Sequence, residues 1–366
     1  MVNIKPFPGV RFSDKVNLSK VLSPPYDVIK KEMLIDYYDR SEYNIAHIIV
    51  PDKEIKQVIQ EWFDSGILVQ DEESIYVYSE TFKIGDDEKT RWSFIAIMEL
   101  EEFGENVFPH ENTFDDIVED RYNLLKQTNM NIGQVLCMYF DPKNQIKDIV
   151  NLNEPIIDVE CDNIRHKLWK ISDTTIINKI ISYMADKIVV IADGHHRYKA
   201  ALKLKNKAGV AYRMVTFVNA YDPGLVIMPT HRKVKLGTEF LQKAKIYFKI
   251  KEVMKKELFG NIKKNVIGVY YDNRYFLFES KLKNQLDVTV LHNFLQKLNV
   301  DDKNIKYFRS MEELDKGDGA LFFLSPVSVD TIKEYALSAK IMPQKTTYFY
   351  PKVYTGLVMY KVNGNA

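Results

Sequence analysis

The stretch IADGHHRYKA, residues 191–200, decides how the chain is read. Immediately before it, KIVV at 187–190 is apolar and β-branched and predicts a buried strand. After it, Tyr198, Ala201, Leu202 and Lys205 recur at helical spacing, with Gly209 as a stop signal. Asp193, Gly194, His195, His196 and Arg197 therefore share one strand-to-helix turn, which is where open α/β sheets place their ligands.

The residue types on that turn suit an anion. A glycine lets backbone approach a ligand without a Cβ, and the helix start that follows presents unpaired N–H groups and a positive dipole end. Arg197 adds a planar fork for phosphate or carboxylate, and His195 and His196 can hydrogen-bond the same group or move a proton. Adjacent helical histidines diverge by about 100°, so they do not chelate one metal together. The plainer alternative is a capped helix carrying surface histidines and a solvated arginine; five chemically capable residues on one turn favour the functional reading.

Helices are expected near 29–39 and 53–65, then a strand pair from SIYVYSETFKI and RWSFIAIMEL around GDDEKT. Thr113 with Asp116 has the form of a capping box, followed by Ile117, Val118, Arg121, Leu124 and Leu125 on one helical face. Further strands are expected at GQVLCMYF, HKLWKI and AYRMVTFVN. Beyond about 236 the pattern continues with a helix GTEFLQKAKIYF, a hairpin turning at Asp272-Asn273, a helix LDVTVLHNFLQKL, a strand GALFFLS and a helix VDTIKEYAL. This alternation predicts a mixed α/β (α+β) chain, divided into a motif-bearing part at 1–235 and a further α/β region at 236–366.

Three other punctuated loops carry chemistry. In FPHENTFDD, Glu111 suits a general base or a magnesium ligand and His110 suits a phosphate; Phe114 occupies the position where a zinc-protease motif needs histidine. MPTHRKV places His231 and Arg232 after a Pro-Thr turn. SPPYDVI holds Tyr26 as a possible stacking face for a base and Asp27 as an expected helix N-cap. By contrast, His47, His166 and His292 lie inside periodic segments and read as structural.

Composition narrows the classes. With 366 residues the chain can build two cores, and 51 basic against 50 acidic residues leave it without the charge footprint of a nucleic-acid binder. No stretch has signal-peptide or membrane-span character, which predicts a cytoplasmic protein with no membrane partner. The two cysteines, Cys137 and Cys161, lie apart without a CxxC partner and are expected to be core thiols.

In order along the chain, SPPYDVI, FPHENT with DRYNLL, HKLWKI, IADGHHRYKAAL and MPTHR resemble the bacterial and archaeal family marked by a DGHHR motif and long described only as a domain of unknown function. That family is similar to the ParB/sulfiredoxin-like nucleotide-binding fold and, within it, resembles the free L-serine kinases, which use ADP or ATP. The sulfiredoxin cysteine position is His195 here, and ParB's helix-turn-helix and basic surface have no counterpart, so peroxiredoxin repair and chromosome segregation are set aside.

The resemblance implies a phosphotransferase that moves phosphate from ADP or ATP to a small hydroxylated metabolite, free serine being the first candidate, with Mg²⁺ as cofactor. Asp193, Glu111 and His196 are the expected catalytic residues. Gly194, His195, Arg197, His110, His231, Arg232 and Tyr26 would hold the nucleotide and its phosphates, and Glu111 and Asp193 would face the metal. The competing readings are a nucleotide-binding sensor or scaffold without turnover, and a metal-dependent hydrolase or nuclease.

Overall fold

A computed structural model describes residues 1–52, 54–208, 210–309 and 319–362. The fold is mixed α+β, in two compact units. Unit 1 comprises Met1–Val226, Ala336–Ala339 and Pro351–Ala366; unit 2 comprises Ile227–Tyr335 and Lys340–Tyr350.

Unit 1 is built on a 12-stranded mixed sheet. Its main path runs through Val107–Phe108, Val189–Asp193, Val135–Tyr139, Tyr212–Asn219, Asp87–Glu99, Leu68–Ile84, Phe7–Phe12, Met359–Lys361 and Met130–Asn131. The long strand Leu68–Ile84 changes partners along its length: residues up to Ser74 pair with Phe7–Phe12, and residues from Ile75 onward pair with Ile164–Ile171. Its hairpin with Asp87–Glu99 turns on Gly85 and Asp86 alone, because Ile84 already pairs with Asp87. The loop expected over GDDEKT is therefore mostly strand; Gly85, at φ +59°, supplies the positive dihedral that a two-residue turn needs.

Strand directions explain why the motifs meet. Val189–Asp193 runs parallel to Val107–Phe108 but antiparallel to Val135–Tyr139. Tyr212–Asn219 runs parallel to Val135–Tyr139, with Val215 opposite Val135. The ends of the first two strands and the starts of the last two therefore lie at one end of the sheet, gathering His110, the Asp193-Gly194 turn, Gly133 and Arg213. A bridge between Ser23 and Thr355 ties the SPPY loop to the late segment PKVYTG at the same unit's edge.

The helix His195–Ala208 forms as its spacing predicts, burying Tyr198, Ala201, Leu202 and Leu204; the stop expected at Gly209 lies outside the described residues, as does the expected helix start at Lys53. Asp115–Thr128 packs against it and buries Val118, Arg121, Tyr122 and Leu125. The capping box does not form: the N-cap is Phe114, whose side chain has no hydrogen-bonding atom, and its backbone N–H donates to the ring of His196. Asp27 likewise caps nothing, since the helix Lys31–Arg40 starts after Lys30 and Asp27 stays in the preceding turn. Cys137 and Cys161 are both buried free thiols. Burial pushes the Cys161 thiol up to about 12.

Unit 2 carries a six-stranded sheet in the order Phe248–Val253, Arg274–Ser280, Val266–Tyr271, Ala320–Phe323, His231–Val234, Lys306–Phe308. Asp272 and Asn273 turn its hairpin with φ of 50° and 58°, the left-handed pair of a tight turn. Its core joins Phe248, Phe278 and Phe322 of the sheet to Leu291 and Phe294 of the helix Asp287–Lys297. The helix expected over GTEFLQKAKIYF is only Phe240–Ala244, because Phe248 already opens the edge strand.

Candidate functional site

Gly194 has φ +90°, and a Cβ there would lie 3.1 Å from the Arg197 Nε. The turn thus needs glycine twice over, for its dihedral and for the guanidinium folded back across it. Arg197 Nη2 donates to Asp193 Oδ2 at 2.7 Å. The other carboxylate oxygen, Oδ1, accepts from Lys352 Nζ. Burial pushes the Asp193 carboxyl up, but the Lys352 ammonium and Arg197 guanidinium beside it prevail and hold it well below the usual carboxylate range.

His110 is fully buried; its Nδ1–H donates to the Ile191 carbonyl at 2.6 Å, leaving Nε2 3.7 Å from Glu111 Oε1. His195 is 7% exposed, and its Nε2 accepts the His110 backbone N–H at 3.3 Å, with the two rings edge to face. Burial lowers both imidazoles, for His195 well below the usual value with the neighbouring His110 adding to it, so both are neutral at pH 7. His195 thereby fastens the PHE loop to the signature turn. His196 Nε2 accepts from Phe114 N–H at 3.1 Å with the two rings stacked, so it caps the start of the helix Asp115–Thr128.

On the other side of Arg197 is a cavity of about 40 Å³, lined by Pro25, Tyr26, Arg121, Gly133, Arg213 and Thr355 among others. Arg121 lies over the Tyr26 ring at 4.0 Å, so one face of that ring is already covered. Arg121 is satisfied by Asp120 and by the Ile49 carbonyl. Arg213 donates to the Gly133 carbonyl.

Asp193, Gly194, His195, His196, Arg197, His110, Glu111 and Tyr26 all belong to unit 1. His231 and Arg232 belong to unit 2, where His231 Nδ1 accepts from Leu324 N–H and Arg232 donates to the carbonyls of Thr230, Gln344 and Lys345. Lys352 and Arg213 escaped the sequence reading. Arg213 left one signal, a lone guanidinium inside the apolar strand YRMVTFVN. Lys352 left none beyond the proline before it.

Magnesium binding by Asp193 and Glu111 together does not fit these residues. Both Asp193 oxygens are paired with cations, which neutralise the carboxylate and repel a metal ion. Among the described residues no group of three or more His, Cys, Asp or Glu side chains is arranged to hold a metal. No described helix is long and apolar enough to cross a membrane.

No curated protein matches the chain. Solved structures to which it is similar include a free serine kinase variant in complex with ADP, 12% identical, covering 74% of this chain and 89% of that one with a TM-score of 0.43. A conserved hypothetical protein from Pyrococcus furiosus is 15% identical, with 71% and 92% covered and a TM-score of 0.41. SbnI from Staphylococcus aureus, with a C-terminal truncation, is 10% identical, with 73% and 87% covered and a TM-score of 0.45. The family model described as Protein of unknown function (DUF1015) matches residues 4–301, and the chain belongs to that family.

Proposed function

We propose that unit 1 is a small-molecule kinase: it transfers a phosphoryl group from ADP or ATP to the hydroxyl of a small metabolite, free serine being the first acceptor to test. The observation that carries this reading is the clamp of one carboxylate, Asp193, between Arg197 and Lys352 at the start of a 14-residue helix, which sets cations and helix N–H groups around the turn where phosphates would lie. The resemblance of the DGHHR-motif family to the free serine kinases points the same way.

In this reading Asp193 is a positioning residue. A base works best with a pKa near the operating pH, and Asp193 is held far from it by its two cations. Glu111 is then the base that takes the acceptor's hydroxyl proton as the oxygen attacks phosphorus and the bond to the nucleotide's bridging oxygen breaks. Neutral His110 and His195 hold the Glu111 loop against the turn. His196 serves the loop as a cap rather than the ligand, and Tyr26 offers a base only the ring face that Arg121 leaves open. Magnesium would come with the nucleotide's own phosphates.

The test is ³¹P NMR of the protein with Mg²⁺, ADP or ATP, and a panel of amino and hydroxy acids. A new phosphomonoester signal is expected. Saturable nucleotide binding with no such signal across the panel would replace the kinase with a nucleotide sensor.

A further inference from the structure

We propose that the cavity between Arg197 and Arg213 is an oxyanion pocket that takes a single carboxylate or phosphoryl group of a small-molecule ligand. Arg213 is 4% and Arg197 8% exposed, and each has its Nε–H buried without an acceptor. Two orphaned donors on two guanidiniums lining one cavity are a debt that native proteins settle with water or an ion. Charge makes the ion the better answer. Arg197 and Lys352 share one carboxylate, Asp193. Arg213 donates to a carbonyl, and burial together with the Arg197 charge pulls it down to about 9, so it is still a cation at pH 7. Burying an uncompensated charge costs several kcal/mol, and an arriving anion removes that cost.

The backbone is arranged to leave the room. A Cβ on Gly133 would stand 3.0 Å from Arg197 Nη1 and 3.8 Å from Thr355 Oγ1, and a Cβ on Gly194 would crowd the same guanidinium from its other side. Volume selects the ligand group. A cavity of about 40 Å³ has room for one carboxylate or one phosphoryl group. The Thr355 hydroxyl on the wall can donate to the same oxygens. The inference deepens the kinase reading, on which it rests only for the source of the anion: the nucleotide's terminal phosphoryl group or the acceptor's carboxylate.

The experiment titrates the full chain with inorganic phosphate and with acetate, at constant ionic strength with chloride as control, and follows thermal stability and binding heat; no turnover is read, so its outcome is independent of the ³¹P experiment. Saturable binding of at least one anion is expected, with phosphate assigning the pocket to a phosphoryl group and acetate to a carboxylate. Arg213→Gln should weaken that binding at least tenfold. Should that variant fail to fold, Gly133→Ala, whose Cβ intrudes on the cavity 3.0 Å from Arg197 Nη1 but removes no charge, should weaken it several-fold. Binding of neither anion beyond the chloride control, or binding unchanged in the variants that fold, would overturn the assignment.

Discussion

Lys352 and Asp193 are 159 positions apart in the chain and touch at the signature turn, where the ammonium takes one carboxylate oxygen while Arg197 takes the other. The ion pair is nearly dry, with the two side chains 10% and 15% exposed. Removing the distant member therefore tests whether this contact organises the site.

Lys352→Met should lower stability by about 1–3 kcal/mol, the range for leaving a buried charged group short of a partner. It should also weaken ADP binding by tenfold or more while leaving the far-ultraviolet dichroism intact. Chemical denaturation and calorimetry of the same samples measure both. Unaltered ADP affinity would remove Lys352 from any anion site.

Glu111→Gln and Asp193→Asn should separate chemistry from positioning. If Glu111 is the base, its variant loses roughly 10²–10⁴ in turnover with nucleotide affinity nearly unchanged. The Asp193 variant should instead lose nucleotide affinity, because Arg197 and Lys352 lose the carboxylate that holds them in place. Separate measurement of kcat and of the nucleotide Kd decides the assignment, and the opposite pattern would exchange the two roles.

Acid should act through two different groups of residues. Asp193 has a depressed pKa in the folded chain, so its contribution is present above the unfolded value of about 3.9 and is lost as pH falls below it. The buried histidines act at higher pH. His110, His195 and His166, the last pushed down to about 3 by burial and the Arg91 charge, refuse protons that the unfolded chain accepts below about 6.5. Each lowers stability by about 1.4 kcal/mol per pH unit from there down to its folded pKa. His195→Gln, whose amide oxygen can still accept the His110 N–H, should reduce the slope between pH 6 and 5 by that amount. Urea denaturation across this range reads the slope directly; an unchanged slope would mean that His195 takes up its proton in the folded protein.

Gly194→Ala should cost about 1–3 kcal/mol, the price of a non-glycine residue in a strained dihedral, and it should also displace Arg197. The combined signature is a lower melting temperature together with weaker ADP binding. A variant as stable as the parent would show that the turn relaxes to an ordinary dihedral.

What could be read in the sequence follows from how local each feature is. The signature turn was legible because its strand, glycine and helix lie within about twenty residues and obey two different periodicities. Cys137 and the hairpin at Asp272-Asn273 were legible for the same reason. The second ion pair of Asp193 was not: Arg197 lies four positions on, but Lys352 is brought in from 159 positions away. Arg213 was hidden because alternation marks a strand as apolar overall and says little about one charged member until its neighbour across the sheet is known. The helix cap at Phe114 was misread since its acceptor, His196, comes from 82 positions away.

The interleaving of the chain also orders events in time. Unit 1 is resumed by Pro351–Ala366 only after all of unit 2, and the strand Met359–Lys361 lies between Phe7–Phe12 and Met130–Asn131. At translation speeds of 5–20 residues per second, the 159 positions separating Asp193 from Lys352 amount to roughly 8–30 s during which the emerging signature turn lacks its second cation. A nascent chain on the ribosome thus carries the motif before it carries the site.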